Sequence, residues 1–240
     1  MASGVPLVAL DGNRILALLP PADRAHIAER MQPYRSDHEI LVPAGGEILY
    51  AHFPTSGLIS VVAALKDGKR AEVATAGLEG MAGLPLFLGS RTSLYEVVSQ
   101  VSGVGLRLEA EAFLEEVARS ASLRVRLLRY SELRMAMLGQ TAACNAAHPI
   151  RARLARWLLI SHDSVDGDMF VLTHEFLSHM LGAERPSVTV AAGLLQKTGA
   201  VTYKRGEVRV LDRTKLERAA CECYGIVRRE TERLMGGSGN

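Results

Sequence analysis

The spacing of hydrophobic positions changes twice along this chain. In residues 36–108 the apolar residues form short, partly alternating runs separated by Gly, Pro and Asp-Gly. Such runs are typical of β-strands, and Lys66-Asp67-Gly68-Lys69 between two of them predicts a hairpin turn. Many short antiparallel strands favour a barrel or jelly roll. The preceding residues 11–35 are predicted to form short helices.

Residues 109–145 follow helical spacing instead. Apolar residues three and four positions apart form a seam over about five helical turns. The seam residues are Leu123, Leu127, Tyr130, Met137 and Thr141. This length exceeds what one small barrel can cover, which favours a dimerisation helix. A helix packed on its own domain is the alternative.

A hinge is predicted where this helix ends, because the residue before a proline is disfavoured in the helical region and His148 precedes Pro149. Helical spacing then resumes. A last helix is predicted over residues 214–235, followed by a flexible tail at 236–240.

Residues 172–210 predict a winged helix-turn-helix, with the two helices at 174–193. Thr173 is a natural N-cap for the first helix, and Gly182 lies where the chain must turn sharply. The second helix opens at Arg185-Pro186-Ser187, where proline is tolerated in the first turn. Its predicted buried face consists of Val188, Ala191, Leu194 and Leu195.

The opposite face of this second helix carries side chains suited to DNA. Arg can bind guanine O6 and N7 with two hydrogen bonds, and Ser or Thr can reach base edges or phosphates. Val190 either touches a thymine methyl group or packs within the domain. Basic residues at the hairpin tip and at the helix end suit phosphate contacts. The predicted DNA-binding residues are Thr173, Arg185, Pro186, Ser187, Thr189, Lys197, Lys204 and Arg205.

The charge distribution agrees with a nucleic-acid module attached to a near-neutral remainder. The 240 residues carry a formal net charge of +2, whereas residues 185–215 hold seven basic and two acidic side chains. No secretion signal or 18-residue apolar run is visible, and the three cysteines are sparse. We therefore expect a cytoplasmic protein with no membrane partner. No motif of an enzyme active site is found, so no enzyme is predicted.

The layout resembles the Crp/Fnr family of bacterial transcription regulators over nearly the whole chain. The resemblance is carried by HPIRARLARWLL at 148–159, LGAERPSVT at 181–189 and AACECY at 219–224. It implies an α+β chain with an N-terminal β jelly roll of cyclic-nucleotide-binding type, a long dimerisation helix and a C-terminal winged helix-turn-helix. The implied divisions are 1–120 for the effector domain, 121–147 for the helix and hinge, and 148–235 for the DNA-binding domain.

The resemblance also implies partners: a second copy of the chain, palindromic double-stranded DNA and RNA polymerase. Family members often carry Glu directly after the arginine at the position of Arg185. Pro186 stands there instead, which leaves the half-site preference open.

The effector domain departs from the nucleotide-binding pattern. The family's ribose-binding Glu is replaced by Met81, which cannot accept a hydroxyl hydrogen bond. Arg91-Thr92 resembles the family's phosphate-binding Arg-Ser or Arg-Thr pair, but it lies too early in the sequence relative to the strand YEVVSQV. When the family pattern is aligned on that strand, its arginine position falls near Tyr95. The predicted degenerate pocket consists of Gly80, Met81, Gly83, Arg91, Thr92 and Tyr95. Cyclic AMP is therefore not expected, no cofactor is predicted, and another small ligand, haem or a redox signal remains the alternative.

The cysteines argue against the iron–sulfur cluster of oxygen-sensing members, because none precedes Cys144. Cys221 and Cys223 are separated by one residue, which is short for a zinc knuckle, and an apolar helix is predicted around them. We expect structural cysteines, a surface histidine at His148 and no metal site. A redox or metal role for these residues is left open.

Overall fold

A computed structural model of the chain describes residues 4–66, 68–204 and 206–236, and at 174 and 175 the backbone alone. The described N-terminal part begins with a 3-10 turn at Leu7–Gly12. Its further elements are α1 (Arg14–Ala17), α2 (Pro21–Arg30), β1 (Gln32–Ser36), β2 (Ile40–Val42), β3 (Tyr50–Pro54), β4 (Leu58–Ala64), β5 (Arg70–Ala76), α3 (Leu84–Phe87), β6 (Glu96–Val101) and β7 (Gly103–Glu109).

The strands form two antiparallel sheets, ordered β1-β7-β3 and β2-β6-β4-β5. Both sheets contribute side chains to one hydrophobic core, such as Phe53 and Leu108 from the first and Ile59 from the second. The predicted β-roll is confirmed. The pattern missed β1, whose sequence QPYRS is largely polar. The β4–β5 hairpin forms as predicted, although Asp67 in its turn lies outside the described residues.

Two helices lead out of the β-roll, α4 (Ala110–Arg119) and α5 (Ala121–Ala147). Ser120 separates them and caps α5, since its side chain accepts a hydrogen bond of 3.0 Å from the Leu123 backbone N–H. The long helix occupies the segment where the sequence placed it.

Four of the five predicted seam residues of α5 face the chain's own core, so the assignment of these four to a dimer interface is wrong. Leu123, Leu127, Tyr130 and Met137 are buried in the same cluster as the β-roll residues, and Thr141 is half-buried. For this face, the alternative of a helix packed on its own domain is confirmed. Helical spacing identified a buried stripe but not the element that buries it.

The opposite face of α5 is apolar and exposed. Val125, Leu128, Met135 and Leu138 are 48%, 60%, 67% and 42% exposed. Because residues three, four and seven apart share a helix face, these side chains form one stripe along α5. We call Val125, Leu128, Met135 and Leu138 the outer stripe.

The C-terminal part begins after the predicted hinge. His148 ends α5 in an extended conformation (φ −110°, ψ 145°). The elements that follow are α6 (Ile150–His162), β8 (Met169–Val171), α7 (His174–Leu181), α8 (Arg185–Lys197), β9 (Val201–Lys204), β10 (Glu207–Val210), α9 (Arg213–Ala219) and α10 (Cys223–Met235). The single last helix predicted at 214–235 is in fact two helices, interrupted at residues 220–222. Of the predicted tail, residues 237–240 lie outside the described part.

The β-roll and the C-terminal part share a buried interface. Leu58, Val62 and Val101 of the β-roll belong to the same hydrophobic cluster as α6, α7 and α8. Helix α7 packs against β5, and α10 packs along α5. The described helices include none long and apolar enough to cross a membrane.

A carboxylate lies inside this interface. Glu72 on β5 accepts hydrogen bonds from Ser60 Oγ at 2.5 Å and from Trp157 Nε1 at 3.0 Å. Burial raises the pKa of Glu72 to about 7, outweighing the opposing effects of these two hydrogen bonds and of the Arg156 and Arg134 charges. This side chain therefore links the β-roll to α6 through a group that titrates near neutral pH.

Candidate nucleic-acid interface

The two helices α7 and α8 are joined by a tight turn whose geometry follows from the sequence. Thr173 Oγ1 accepts a hydrogen bond of 3.1 Å from the Phe176 backbone N–H, as expected of an N-cap. Gly182 has φ +53°, the left-handed conformation that ends a helix and that glycine adopts readily. The buried guanidinium of Arg153 on α6 donates to the Leu181 carbonyl oxygen. The end of α7 is thereby fixed to the domain core.

Helix α8 buries one face and exposes the other. Val188, Ala191, Ala192 and Leu195 are buried. The prediction for Leu194 is wrong, because this side chain is 41% exposed. Leu194 is rotated by about 100° around the helix axis from the buried Leu195, so it lies beyond the edge of the buried face.

The exposed face of α8 is centred on Pro186, Val190, Gly193 and Lys197, since positions three, four and seven apart share a face. Val190 is 64% exposed, so of its two predicted roles packing within the domain is wrong. Gly193 was not singled out from the sequence, and a Cβ there would meet nothing within 4 Å. Glycine inside a helix costs about 1 kcal/mol relative to alanine. Because glycine has no side chain, another molecule can approach the helix backbone closely at this open position.

The residues predicted to read DNA lie around the N-terminal end of this face. Arg185, Pro186 and Thr189 are exposed, whereas Ser187 is half-buried. Thr189 Oγ1 donates to the Arg185 carbonyl oxygen at 3.0 Å. The first turn of a helix also carries unpaired backbone N–H groups and a partial positive charge, which favour phosphate. The structure thus brings these four residues together at one helix end.

The basic hairpin forms the predicted wing beside α8. Strands β9 and β10 pair antiparallel with Lys204 opposite Glu207, and β8 pairs with β10 on the other side. Gln196 Oε1 on α8 accepts a 3.0 Å hydrogen bond from the Tyr203 backbone N–H, tying the wing to the helix. Lys204 is exposed, and Arg205 lies outside the described residues. Thr173, at the start of α7, is exposed on the same domain.

Only some of the basic side chains in this segment are free to bind an anion. Arg213 forms ion pairs with Asp163 at 2.7 Å and Glu217 at 3.0 Å, and Lys215 lies 3.5 Å from Asp212. Within the described residues no ion pair engages Arg185, Lys197 or Lys204. The sequence count of basic residues therefore overstates the available charge, since only part of it belongs to described cations outside ion pairs, such as Arg185, Lys197 and Lys204.

The match to a known domain covers the whole of this region. Residues 152–219 match the model of the Crp-like helix-turn-helix domain. The chain carries a Crp-like helix-turn-helix domain. This domain is a DNA-binding module of transcription regulators, and the predicted resemblance to the Crp/Fnr regulators is confirmed.

Solved structures of such regulators share the fold across most of the chain. FixK2 from Bradyrhizobium japonicum has a TM-score of 0.65 at 14% identity, over 80% of this chain and 96% of its own. A CRP-family transcriptional regulator from Thermus thermophilus has a TM-score of 0.63 at 22% identity, over 79% and 96%. The c-di-GMP-responsive global regulator CLP from Xanthomonas campestris has a TM-score of 0.59 at 14% identity, over 80% and 99%. Comparison with curated protein sequences finds no match.

The predicted degenerate pocket is divided by the fold. Gly80 and Met81 are buried beneath α5, where the Tyr130 hydroxyl donates to the Met81 carbonyl oxygen at 2.9 Å. A Cβ on Gly80 would lie 2.0 Å from the Tyr130 ring. Tyr130 therefore occupies the space directly above this segment, with Gly83 half-buried nearby in sequence.

The other pocket residues lie outside on the surface. Arg91 and Thr92 are exposed, and Tyr95 is 39% exposed. Arg91 pairs with the exposed carboxylate of Glu111 rather than pointing inward. The predicted pocket residues are therefore split between a buried segment, Gly80 and Met81, and the exposed residues Arg91, Thr92 and Tyr95.

The cysteines are arranged differently from the sequence expectation. The apolar helix predicted around Cys221 and Cys223 is interrupted there, and both thiols are buried next to Cys144. His148 is also part of this group rather than an isolated surface residue. The sequence did not predict this group because residues 144–148 and 221–223 are far apart in sequence and meet only through the packing of α10 on α5.

Proposed function

We propose that the chain is a sequence-specific transcription regulator that binds palindromic promoter DNA as a homodimer, with the N-terminal end of α8 in the major groove. The observation that carries this proposal is the exposed face of α8, with Arg185 and Thr189 at its start and the exposed cations Lys197 and Lys204 beside it. An Arg side chain there suits bidentate contact with guanine, and Val190 suits a thymine methyl group. The cations suit flanking phosphates.

The outer stripe of α5 supports the homodimer. Its four large apolar side chains face solvent in the single chain, and a twofold axis along α5 would bury each stripe against its copy. Gly139 and Ala142, also exposed on α5, would allow close approach of the two helices. A dimer would present two α8 helices to half-sites about one DNA turn, roughly 34 Å, apart.

Control by cyclic AMP is not part of the proposal. Tyr130 fills the space above Gly80 and Met81, and Arg91 is engaged with Glu111 on the surface. A cyclic phosphate in this β-roll would lack its charge-assisted partner. The role is that of a binding protein rather than an enzyme, with RNA polymerase as the further partner of a promoter-bound regulator.

Regulation by another small ligand is a second candidate. A cavity of about 320 Å³ lies where the β-roll, α6 and α10 meet, and its lining includes Arg14, Glu79, Arg228 and Tyr224. Its position suits a ligand that contacts the effector and DNA-binding parts together.

The DNA proposal is tested by selecting sequences from fragmented genomic DNA with the purified full-length chain. Affinity for the selected site is then measured by fluorescence anisotropy at several salt concentrations. We expect a palindromic sequence and a weakening of roughly 1–3 kcal/mol for Arg185→Ala. The matched control is Arg229→Ala, an exposed arginine on α10, which should bind as the unmodified protein does. Equal affinity of Arg185→Ala and the control for the selected site would contradict the assignment.

A further inference from the structure

Four side chains with metal-ligating atoms converge between the end of α5 and the start of α10. They are Cys144, His148, Cys221 and Cys223, and their ligand atoms all lie within 4.8 Å of one another. The three thiols are buried and free of disulfides. This group belongs neither to the DNA-contacting face nor to the predicted effector pocket.

Local structure explains how these residues meet. Cys144 lies in the last turn of α5 and His148 directly follows the helix, where its backbone N–H donates to the Cys144 carbonyl oxygen at 3.0 Å. Cys221 lies in the interruption between α9 and α10, and Cys223 is the first residue of α10. Packing of α10 along α5 then brings Cys221 Sγ to 3.5 Å from Cys144 Sγ and Cys223 Sγ to 3.6 Å from His148 Nδ1.

The spacing of the four atoms fits a single tetrahedral ion. With a Zn–S bond of about 2.3 Å, tetrahedral geometry places two sulfur ligands roughly 3.8 Å apart. The 3.5 Å between Cys144 Sγ and Cys221 Sγ is close to that value. A Zn–N bond is shorter, so a sulfur and a nitrogen ligand are expected roughly 3.6 Å apart, as Cys223 Sγ and His148 Nδ1 are at 3.6 Å. Three thiolates and one imidazole also form a ligand set typical of structural zinc sites. A cluster of several metal atoms would need its ligands spread more widely.

The surrounding groups orient the ligands as metal sites require. His148 Nε2 lies 3.2 Å from Glu222 Oε1, so a proton on Nε2 donated to this carboxylate leaves Nδ1 unprotonated toward the thiols. The Gln140 amide donates to Cys223 Sγ at 3.0 Å. Ligating histidines commonly donate their other ring N–H to a carboxylate in this way.

Positive charge is also placed beside the thiols. Arg153 and Arg156 on α6 are buried, and the Nε atom of each has no hydrogen-bond partner within the described residues. Three thiolates with a divalent cation carry one net negative charge, which the two positively charged guanidinium groups would offset.

We propose that Cys144, His148, Cys221 and Cys223 bind one Zn²⁺ ion per chain. The ion clamps the C-terminal end of α5 to the N-terminal end of α10 across the His148–Pro149 hinge. Because the ligands come from both sides of that hinge, the clamp fixes the DNA-binding domain to the long helix. This site does not depend on the proposed DNA sequence or effector.

The first test measures metal in the full-length chain, purified under reducing conditions without chelator, by elemental mass spectrometry. We expect one zinc per chain. After removal of the zinc, added Co²⁺ should give the visible absorption bands of tetrahedral thiolate coordination, and Zn²⁺ should abolish them. A chain with three free thiols that takes up neither ion would overturn the proposal.

Variants then assign the ligands. Cys223→Ser and His148→Ala should lose the cobalt bands, whereas His38→Ala, a surface histidine outside the group, should keep them. Glu222→Gln leaves all four ligands in place and should weaken zinc affinity roughly 10- to 100-fold in competition with a chromophoric chelator. Circular dichroism checks that each variant is folded. Unchanged zinc content and affinity in folded Cys223→Ser and Glu222→Gln would place the metal elsewhere and refute the site.

Discussion

The buried carboxylate of Glu72 makes the interface between the β-roll and α6 sensitive to pH. Its pKa is raised from 4.5 to about 7, and each unit corresponds to about 1.36 kcal/mol. A raised pKa means that the folded protein holds the proton more tightly than the unfolded chain does. The stabilisation is therefore complete below about pH 4.5 and is lost as the pH rises through about 7, by roughly 3 kcal/mol in total.

Glu72→Gln should remove this dependence. The glutamine amide is neutral at all these pH values, its oxygen can accept from Trp157 Nε1, and its NH₂ can donate to Ser60 Oγ. We expect the variant to be more stable than the unmodified protein at pH 8 and about equal to it at pH 5. Arg156 and Arg134 favour the charged form of Glu72. They therefore reduce the difference in stability that we expect between Glu72→Gln and the unmodified protein at pH 8.

The assay uses the one tryptophan of the chain, Trp157, whose indole N–H is bonded to Glu72. Its fluorescence should titrate with a midpoint within about one unit of pH 7 in the unmodified protein. This transition should vanish in Glu72→Gln and persist in the control Glu47→Gln, a carboxylate outside this interface. The reasoning is refuted if the unmodified protein and Glu72→Gln show the same titration curve, or if denaturant unfolding at pH 5 and pH 8 shifts equally in both.

Three further substitutions test other parts of the structure. Gly80→Ala places a Cβ against the Tyr130 ring and should destabilise the chain by about 1–3 kcal/mol in denaturant unfolding. Leu128→Glu puts a charge in the outer stripe and should shift the protein toward monomer in analytical ultracentrifugation without lowering single-chain stability. Gly193→Leu adds a side chain whose Cβ would meet no atom within 4 Å, so we expect unchanged or higher stability together with weaker DNA binding.

The first two of these substitutions have matched controls. Gly193→Ala, measured without DNA, adds a Cβ with no neighbour within 4 Å and should lack the destabilisation of Gly80→Ala. Arg129→Glu, exposed on α5 beside Leu128, distinguishes a general charge effect from loss of apolar contact. If Gly193→Leu binds DNA as tightly as the unmodified protein does, the exposed face of α8 does not contact DNA and its assignment to the interface is wrong.

The sequence predicted the β-roll and the helix-turn-helix because their signals are local. Alternating apolar runs, a hairpin turn, Thr173 as a cap and Gly182 at the turn each act within a few residues. The strand β1 was missed because its residues are polar and its partners lie near residue 105. Local patterns describe an element without describing what packs against it.

The wrong predictions for the α5 seam and for the cysteines have the same origin. The spacing of Leu123, Leu127 and Tyr130 is the same whether the helix packs on its own β-roll or on a second chain. Only the packed structure shows that Tyr130 covers Gly80. Likewise, the separation of Cys144 from Cys221 by 77 positions conceals their contact, and the interruption before α10 was hidden by a continuous helical pattern.

The two faces of α5 place different constraints on how this chain can change. A substitution on the inner face, such as at Tyr130, meets different residues of the same molecule, so a second change in the β-roll can compensate for it. Under the proposed twofold arrangement, a substitution in the outer stripe meets its own copy, and every change enters the interface twice. The inner face can therefore adapt together with the effector domain, while the outer face must remain compatible with itself.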